Sequence, residues 1–156
     1  MQYSRIGCLL VVTVAVIGCT GESYPDPGIR GVWHVVERSF TAVDTSWTVS
    51  DPQPGQYFFG ETHFSVQEIR ESGQRALFAE HTTGLERLAA FDVFHAHSGT
   101  YGVTDSTLTI VPTLAKSPNS MDGSSYSYDY AIDGDRLTIT RRSGEETRVT
   151  TLVRVE

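Results

Sequence analysis

The chain has 156 residues, with 12 Lys and Arg against 19 Asp and Glu, a formal charge of −7. That acidic surplus argues against nucleic acid as a partner and against electrostatic adhesion to anionic lipid headgroups. With only two cysteines, it also excludes a disulfide-dense scaffold.

The first element is a leader. Met1–Arg5 carries one positive charge, Ile6–Ile17 is almost wholly apolar, and Val16-Ile17-Gly18-Cys19 follows directly. A charged head, a short apolar middle and a small residue before the cut describe a secretory signal peptide. A bilayer span needs about 20 apolar residues, and this run is shorter and holds Gly7 and Gly18. Its last four residues resemble the lipobox of bacterial lipoproteins. The resemblance implies cleavage before Cys19 and acylation of the Cys19 thiol and amine, so that membrane lipid is the first expected partner; cleavage nearby without acylation is the alternative. Two or more acyl chains hold a protein stably. Thr20, rather than Asp, follows the cysteine, which in a diderm host implies the outer membrane, facing the periplasm. Cys8 leaves with the leader, so the mature domain has no internal disulfide and core packing must hold it.

The expected organisation is therefore a signal peptide over 1–18, a lipidated Cys19 with a flexible tether over 19–29, and one domain over 30–156. The tether, Thr20–Gly28, is polar and rich in Pro and Gly. Strands are predicted at Gly31–Phe40, Gln56–Phe59 and Thr62–Arg70, the last two turning at Gly60-Glu61. Glu68 and Glu71 flank Arg70 and read as a solvated face. Thr83–Ala96 reads as a helix: Thr83 and Glu86 have capping-box spacing, Leu85, Leu88, Ala89, Phe91 and Phe94 form an apolar stripe, and Gly99 lies just beyond.

The second half alternates with period two. Strands Gly99–Thr104 and Thr107–Pro112 flank Asp105-Ser106, and Ser125–Ile132 and Asp135–Arg141 flank Asp133-Gly134, a type I′ hairpin signal. A last strand, Glu146–Val155, follows Ser143-Gly144. The loop Thr113–Ser124 is long for a hairpin, and reads equally as a lid or as a surface connection. Eight antiparallel strands left open would expose edges, and closure removes them. The expected fold is all-β, an eight-stranded antiparallel up-and-down barrel with one α-helix, its interior fitting side chains or one small ligand.

Gly31-Val32-Trp33 resembles the Gly-x-Trp signature of lipocalins. In that family the Trp plugs the barrel floor under a basic residue from the last strand, a role the resemblance gives to Arg154. Residues 30–156 are similar more specifically to bacterial lipocalin-like domain proteins. The likeness is carried by the order of Gln53-Pro54-Gly55-Gln56-Tyr57-Phe58-Phe59, His63-Phe64-Ser65, Leu88-Ala89-Ala90-Phe91, Ser98-Gly99-Thr100-Tyr101, Pro118-Asn119 and Asp133-Gly134-Asp135-Arg136-Leu137. His95-Ala96-His97 departs from that pattern. The likeness implies a lipocalin-like barrel with Gly31, Trp33 and Arg154 at its closure and a cavity for a small apolar or amphipathic ligand.

Tyr126, Tyr128 and Tyr130 share one face of a strand, and a row of phenols suits a wall that lines and orients a ligand. Tyr101, Phe64 and Tyr57 are candidates for the same wall; the alternative is a filled core with each hydroxyl bonded locally. His95 and His97 would make a metal pair on a strand. At a helix end they diverge by about 160°, so no metal is expected there. His63 and His34 read as surface strand positions, with polar groups in the cavity as the alternative. No nucleophile elbow, P-loop or dinucleotide fingerprint occurs, so neither catalysis nor a cofactor is expected. The expected function is a monomeric, membrane-tethered barrel binding a small amphipathic ligand. The alternative is a protein-interaction module using loops at the barrel mouth.

Overall fold

The computed structural model describes residues 28–70 and 77–156. The leader, Cys19, most of the tether and Glu71 lie outside the described residues. The elements are β1 (Gly31–Ala42), β2 (Thr45–Val49), β3 (Gly55–Phe59), β4 (His63–Ile69), α1 (Gly84–Val93), β5 (Phe94–Val103), β6 (Thr107–Ala115), a 3₁₀ turn (Pro118–Met121), β7 (Tyr126–Asp133), β8 (Arg136–Ser143) and β9 (Glu146–Arg154).

All strands of the described residues form one antiparallel sheet in the order β2-β1-β3-β4-β5-β6-β7-β8-β9, and β9 returns to pair with β1. The ring so closed has eight strands, with β2 outside it as a hairpin partner of β1. β1 is long enough to serve three neighbours. Gly31–His34 pairs with β3, Arg38–Ala42 pairs with β2, and Trp33–Thr41 pairs with β9. β2 was not anticipated, because Thr45-Ser46-Trp47-Thr48-Val49 has only two apolar residues, and of these Trp47 is about half exposed.

The turns correct a detail of the hairpins. Asp133 pairs with Arg136 and Ser143 with Glu146, so the two-residue loops are Gly134-Asp135 and Gly144-Glu145. Gly134 and Gly144 have φ of 56° and 58°, and among the described residues no non-glycine residue has positive φ. The type I′ expectation, which needs positive φ at both central positions, therefore fails; glycine alone takes up the strain at the first.

The helix is shorter than expected at its C-terminus. Its capping box is formed: the Glu86 amide donates to Thr83 Oγ1 at 3.3 Å, and the Thr83 amide donates to Glu86 Oε2 at 2.7 Å. It stops at Val93 because Phe94, His95 and Ala96 pair with Ile69, Glu68 and Gln67 of β4. No residue of α1 is buried, so the stripe of Leu85, Leu88 and Phe91 faces outward. The segment Thr113–Ser124 is also more ordered than a plain loop. Its start extends β6 to Ala115, and the 3₁₀ turn places Met121 Sδ 3.2 Å from the Ala115 amide.

The core gathers the inward rows: Ile29, Trp33, Phe59, Leu137 and Leu152 are almost fully buried, with Phe64, Val66, Leu108, Ile110 and Ile139 around them. Fully burying such a side chain contributes about 1.5–3 kcal/mol. Among the described residues no buried side-chain nitrogen or oxygen lacks a hydrogen-bond partner, and no helix is long and apolar enough to cross a membrane.

Candidate functional site

One end of the barrel is sealed. Trp33 is 0% exposed and donates its Nε1–H to the Ile29 carbonyl at 2.7 Å. The Arg154 guanidinium lies 4.0 Å from the centre of the Trp33 ring and donates to the carbonyls of Gly28 and Arg30. Gly31, at φ 123°, lets the terminal backbone pass: a Cβ there would stand 2.2 Å from the Glu156 carbonyl oxygen. Two candidates for the ligand wall belong to this end or to its flank. The Tyr101 hydroxyl donates to the Gly60 carbonyl at 2.6 Å, and the Tyr130 hydroxyl donates to the Thr104 carbonyl at 2.8 Å.

Toward the other end the interior opens into a cavity of about 540 Å³. Its composition follows from period two along strands that run from floor to mouth. Phe64 and Val66 on β4 lead to Glu68, and Ile139 on β8 leads to Arg141. Thr150 on β9 leads to Arg148. Leu108, Ile110 and Phe59 complete the apolar depth, and Trp47, Arg38 and Arg70 join the rim. The unanticipated β2 thus contributes two wall residues, Trp47 and Val49.

Arg38 is inside because β1 is irregular. The β1–β9 register shifts between Val35 and Glu37, so that Val35 opposes Leu152 and Arg38 opposes Thr150. A regular strand would turn Glu37 inward instead. Gly55 makes room across the barrel wall: a Cβ there would lie 2.8 Å from Val35 and 2.9 Å from Arg38 Nη2.

Glu68 is the buried charge of the site, 2% exposed, which corrects its expected place on a solvated face. Its Oε2 accepts from Arg38 Nη2 at 2.9 Å and from the Tyr57 hydroxyl at 3.2 Å, and its Oε1 accepts from Arg70 Nε. Burial opposes ionisation, but the Arg70 and Arg38 guanidinium groups outweigh it and hold the carboxyl below its usual range. The same burial, with the Glu68 charge, pushes the Tyr57 phenol up, so it remains a donor.

His95 and His97 do share a face, contrary to the helix-end reading, because both sit on β5, and their ring centres are 5.1 Å apart. His97 lines the cavity, edge-on to Phe64. Burial, helped by the positive charge of Arg70, lowers both pKa values, that of His95 to about 4, so both rings are neutral at pH 7. Among the described residues no group of three or more His, Cys, Asp or Glu could hold a metal ion. His34 and His63 are exposed.

Of the six wall candidates, Tyr57, Phe64 and Tyr128 line the cavity, while Tyr101, Tyr126 and Tyr130 do not. Tyr126 is packed against the core from the same face of β7. The rim arginines were missed. Their signal was available in Leu137-Thr138-Ile139-Thr140-Arg141, where an arginine continues an inward apolar row.

No protein-family model matches the chain, and no curated protein matches it. Among solved structures, one similar chain is an uncharacterized protein from Bacteroides eggerthii. It is 11% identical, with a TM-score of 0.43, over 78% of this chain and 97% of that one.

Proposed function

We propose that this protein is a binding barrel that holds one small amphipathic molecule, tethered to a membrane through an acylated Cys19. One observation carries the binding reading: a cavity of about 540 Å³, apolar at depth and polar at its open rim. That volume lies within the usual range for a small-molecule site, about 300–1,000 Å³. The lipocalin likeness of Gly31, Trp33 and Arg154 supports the same reading, as does the geometry of those residues at the sealed end. Gly28 and Ile29, the last residues of the expected tether, lie at that sealed end, opposite the mouth. The lipobox-like Val16-Ile17-Gly18-Cys19 supports the anchor, and with Thr20 behind it, the outer membrane of a diderm host.

Native mass spectrometry of the protein carrying Cys19→Ser tests the reading. A bound molecule that is lost on gentle activation supports it, and failure to take up any amphiphile from solution defeats it.

One observation favours a second reading, a docking module for another envelope protein. Leu85, Leu88 and Phe91 of α1 are all more than half exposed, and Leu77 and Phe78, a few residues earlier in the chain, are exposed too. Exposed apolar residues gathered in one place mark contact surfaces. Crosslinking in the intact envelope separates the two readings: a stoichiometric protein partner captured through α1 favours the second.

A further inference from the structure

We infer that the ligand carries an acidic head group, a carboxylate or a phosphate monoester, clasped between Arg141 and Arg148 at the cavity mouth with its apolar chain directed toward Leu108 and Ile110. This rests on the binding reading above and names the class of ligand.

The argument begins with charge. The protein as a whole is at −7, yet among the described residues the cavity lining holds Arg38, Arg70, Arg141 and Arg148 against a single carboxylate, Glu68. Arg38 and Arg70 both engage Glu68, so its one negative charge already faces two cations, and Tyr57 shares one of its oxygens. It does not neutralise the other two arginines.

Arg141 and Arg148 face each other directly across β8 and β9. Like charges in that relation destabilise a sheet. Arg148 has one exposed partner, Glu146, at 3.2 Å, and packs its guanidinium 5.1 Å from the centre of the Phe40 ring. Among the described residues Arg141 has no carboxylate partner. The neighbouring residue provides the contrast: Arg142, on the outer face, is paired with Asp129. Of two consecutive arginines, the outward one is neutralised within the fold and the inward one is not.

Two guanidinium groups at facing register positions supply N–H donors of the kind that carboxylates and phosphates accept in pairs. The Tyr128 phenol adds a donor. Burial raises its pKa against the opposing charge of Arg141, so its proton is retained. The next inward residues, Ile139 and Thr150, lead from this pair to the apolar depth. An amphiphile with an anionic head satisfies both parts of the cavity; a cationic one would meet uncompensated like charge at the rim.

The test compares dodecanoate, dodecyl phosphate, dodecanol and dodecyltrimethylammonium, titrated into the full chain carrying Cys19→Ser and into the same chain with R141Q and R148Q. At least one anion should bind tighter than dodecanol and the cation by about tenfold or more, the range expected of charge-assisted hydrogen bonds, and should weaken as salt is added. Whichever anion is preferred identifies the head group. R141Q/R148Q should abolish the preference, so that the anions bind no tighter than dodecanol, and leave the thermal midpoint equal or higher because a like-charge pair has been removed. If dodecanol binds as tightly as both anions, or if the double variant keeps the preference, the acidic-head assignment is overturned while the binding reading stands. If none of the four probes binds, the binding reading falls with it.

Discussion

Arg154 lays its guanidinium over the Trp33 indole at 4.0 Å while its two Nη groups hold the carbonyls of Gly28 and Arg30. One side chain therefore covers the floor of the barrel and ties the entering segment to the last strand. Arg154→Met keeps much of the packing but loses the charge and both carbonyl bonds. Urea denaturation should show a loss of about 2 kcal/mol, and Arg154→Lys should recover less than half of it, since an ammonium cannot bridge two carbonyls as a planar fork does.

Ile110→Trp places a large ring in the empty part of the cavity. Overpacking a full core costs about 1–3 kcal/mol, but here the space exists, so the cost should fall at the low end. Dodecanol uptake, followed by native mass spectrometry, should be lost in a protein that still unfolds cooperatively. Retained uptake would place the ligand somewhere other than this cavity.

Glu68→Gln leaves Arg38 and Arg70 facing each other at the cavity wall without an anion. Removing one partner of a buried ion pair costs about 3–5 kcal/mol, and because Arg70 is half exposed, with a side chain 48% accessible, the loss should lie near the lower figure. Calorimetry should record a correspondingly lower thermal midpoint. Gly55→Ala should also destabilise, since its methyl group would press on Val35 and on Arg38 of the same cluster.

Acid should destabilise the barrel in two overlapping stages. Burial and then the charge of Arg70 lower the His95 pKa from 6.5 to about 4, so between those values the unfolded chain takes up a proton that the folded chain refuses. Stability therefore falls as pH falls through that window. Glu68 adds to this at the lower end: its folded carboxyl stays ionised where an unfolded one, near 4.5, takes up a proton. The thermal midpoint measured from neutral pH down to about 4 should decline throughout, and H95Q with H97Q should flatten the upper part of the curve. A flat profile in the unsubstituted protein would contradict the buried, neutral state of these rings.

Cys19→Ser should release the protein from the membrane fraction and abolish incorporation of labelled fatty acid. A membrane-bound, unlabelled variant would remove the anchor from the functional reading.

The ring of eight strands was legible because its signals are local. Each hairpin of the second half carries a short turn between rows such as Leu108 and Ile110 or Leu137 and Ile139. Gly31, Trp33 and Arg154 could be singled out through a family likeness. Three features were not legible, each for a physical reason. β2 is mostly exposed, so it has little apolar periodicity, and it is held by pairing with an over-long β1. The boundary between α1 and β5 depends on β4, whose ladder captures Phe94 and His95 where local pattern favoured continuing the helix. The Glu68 cluster depends on contacts with Arg38, which is 30 residues away in sequence. A carboxylate beside an arginine looks solvated until a second arginine from another strand encloses it.

The irregularity in β1 makes chain length at that point as consequential as residue type. Deleting Val36 would take out the extra residue and restore regular alternation, and Arg38 would still face inward opposite Thr150. The charge of the lining would be kept, while the local bend and twist that the extra residue adds would be lost. In a lineage of such barrels, a single-codon deletion there would therefore reshape the wall without changing its charge.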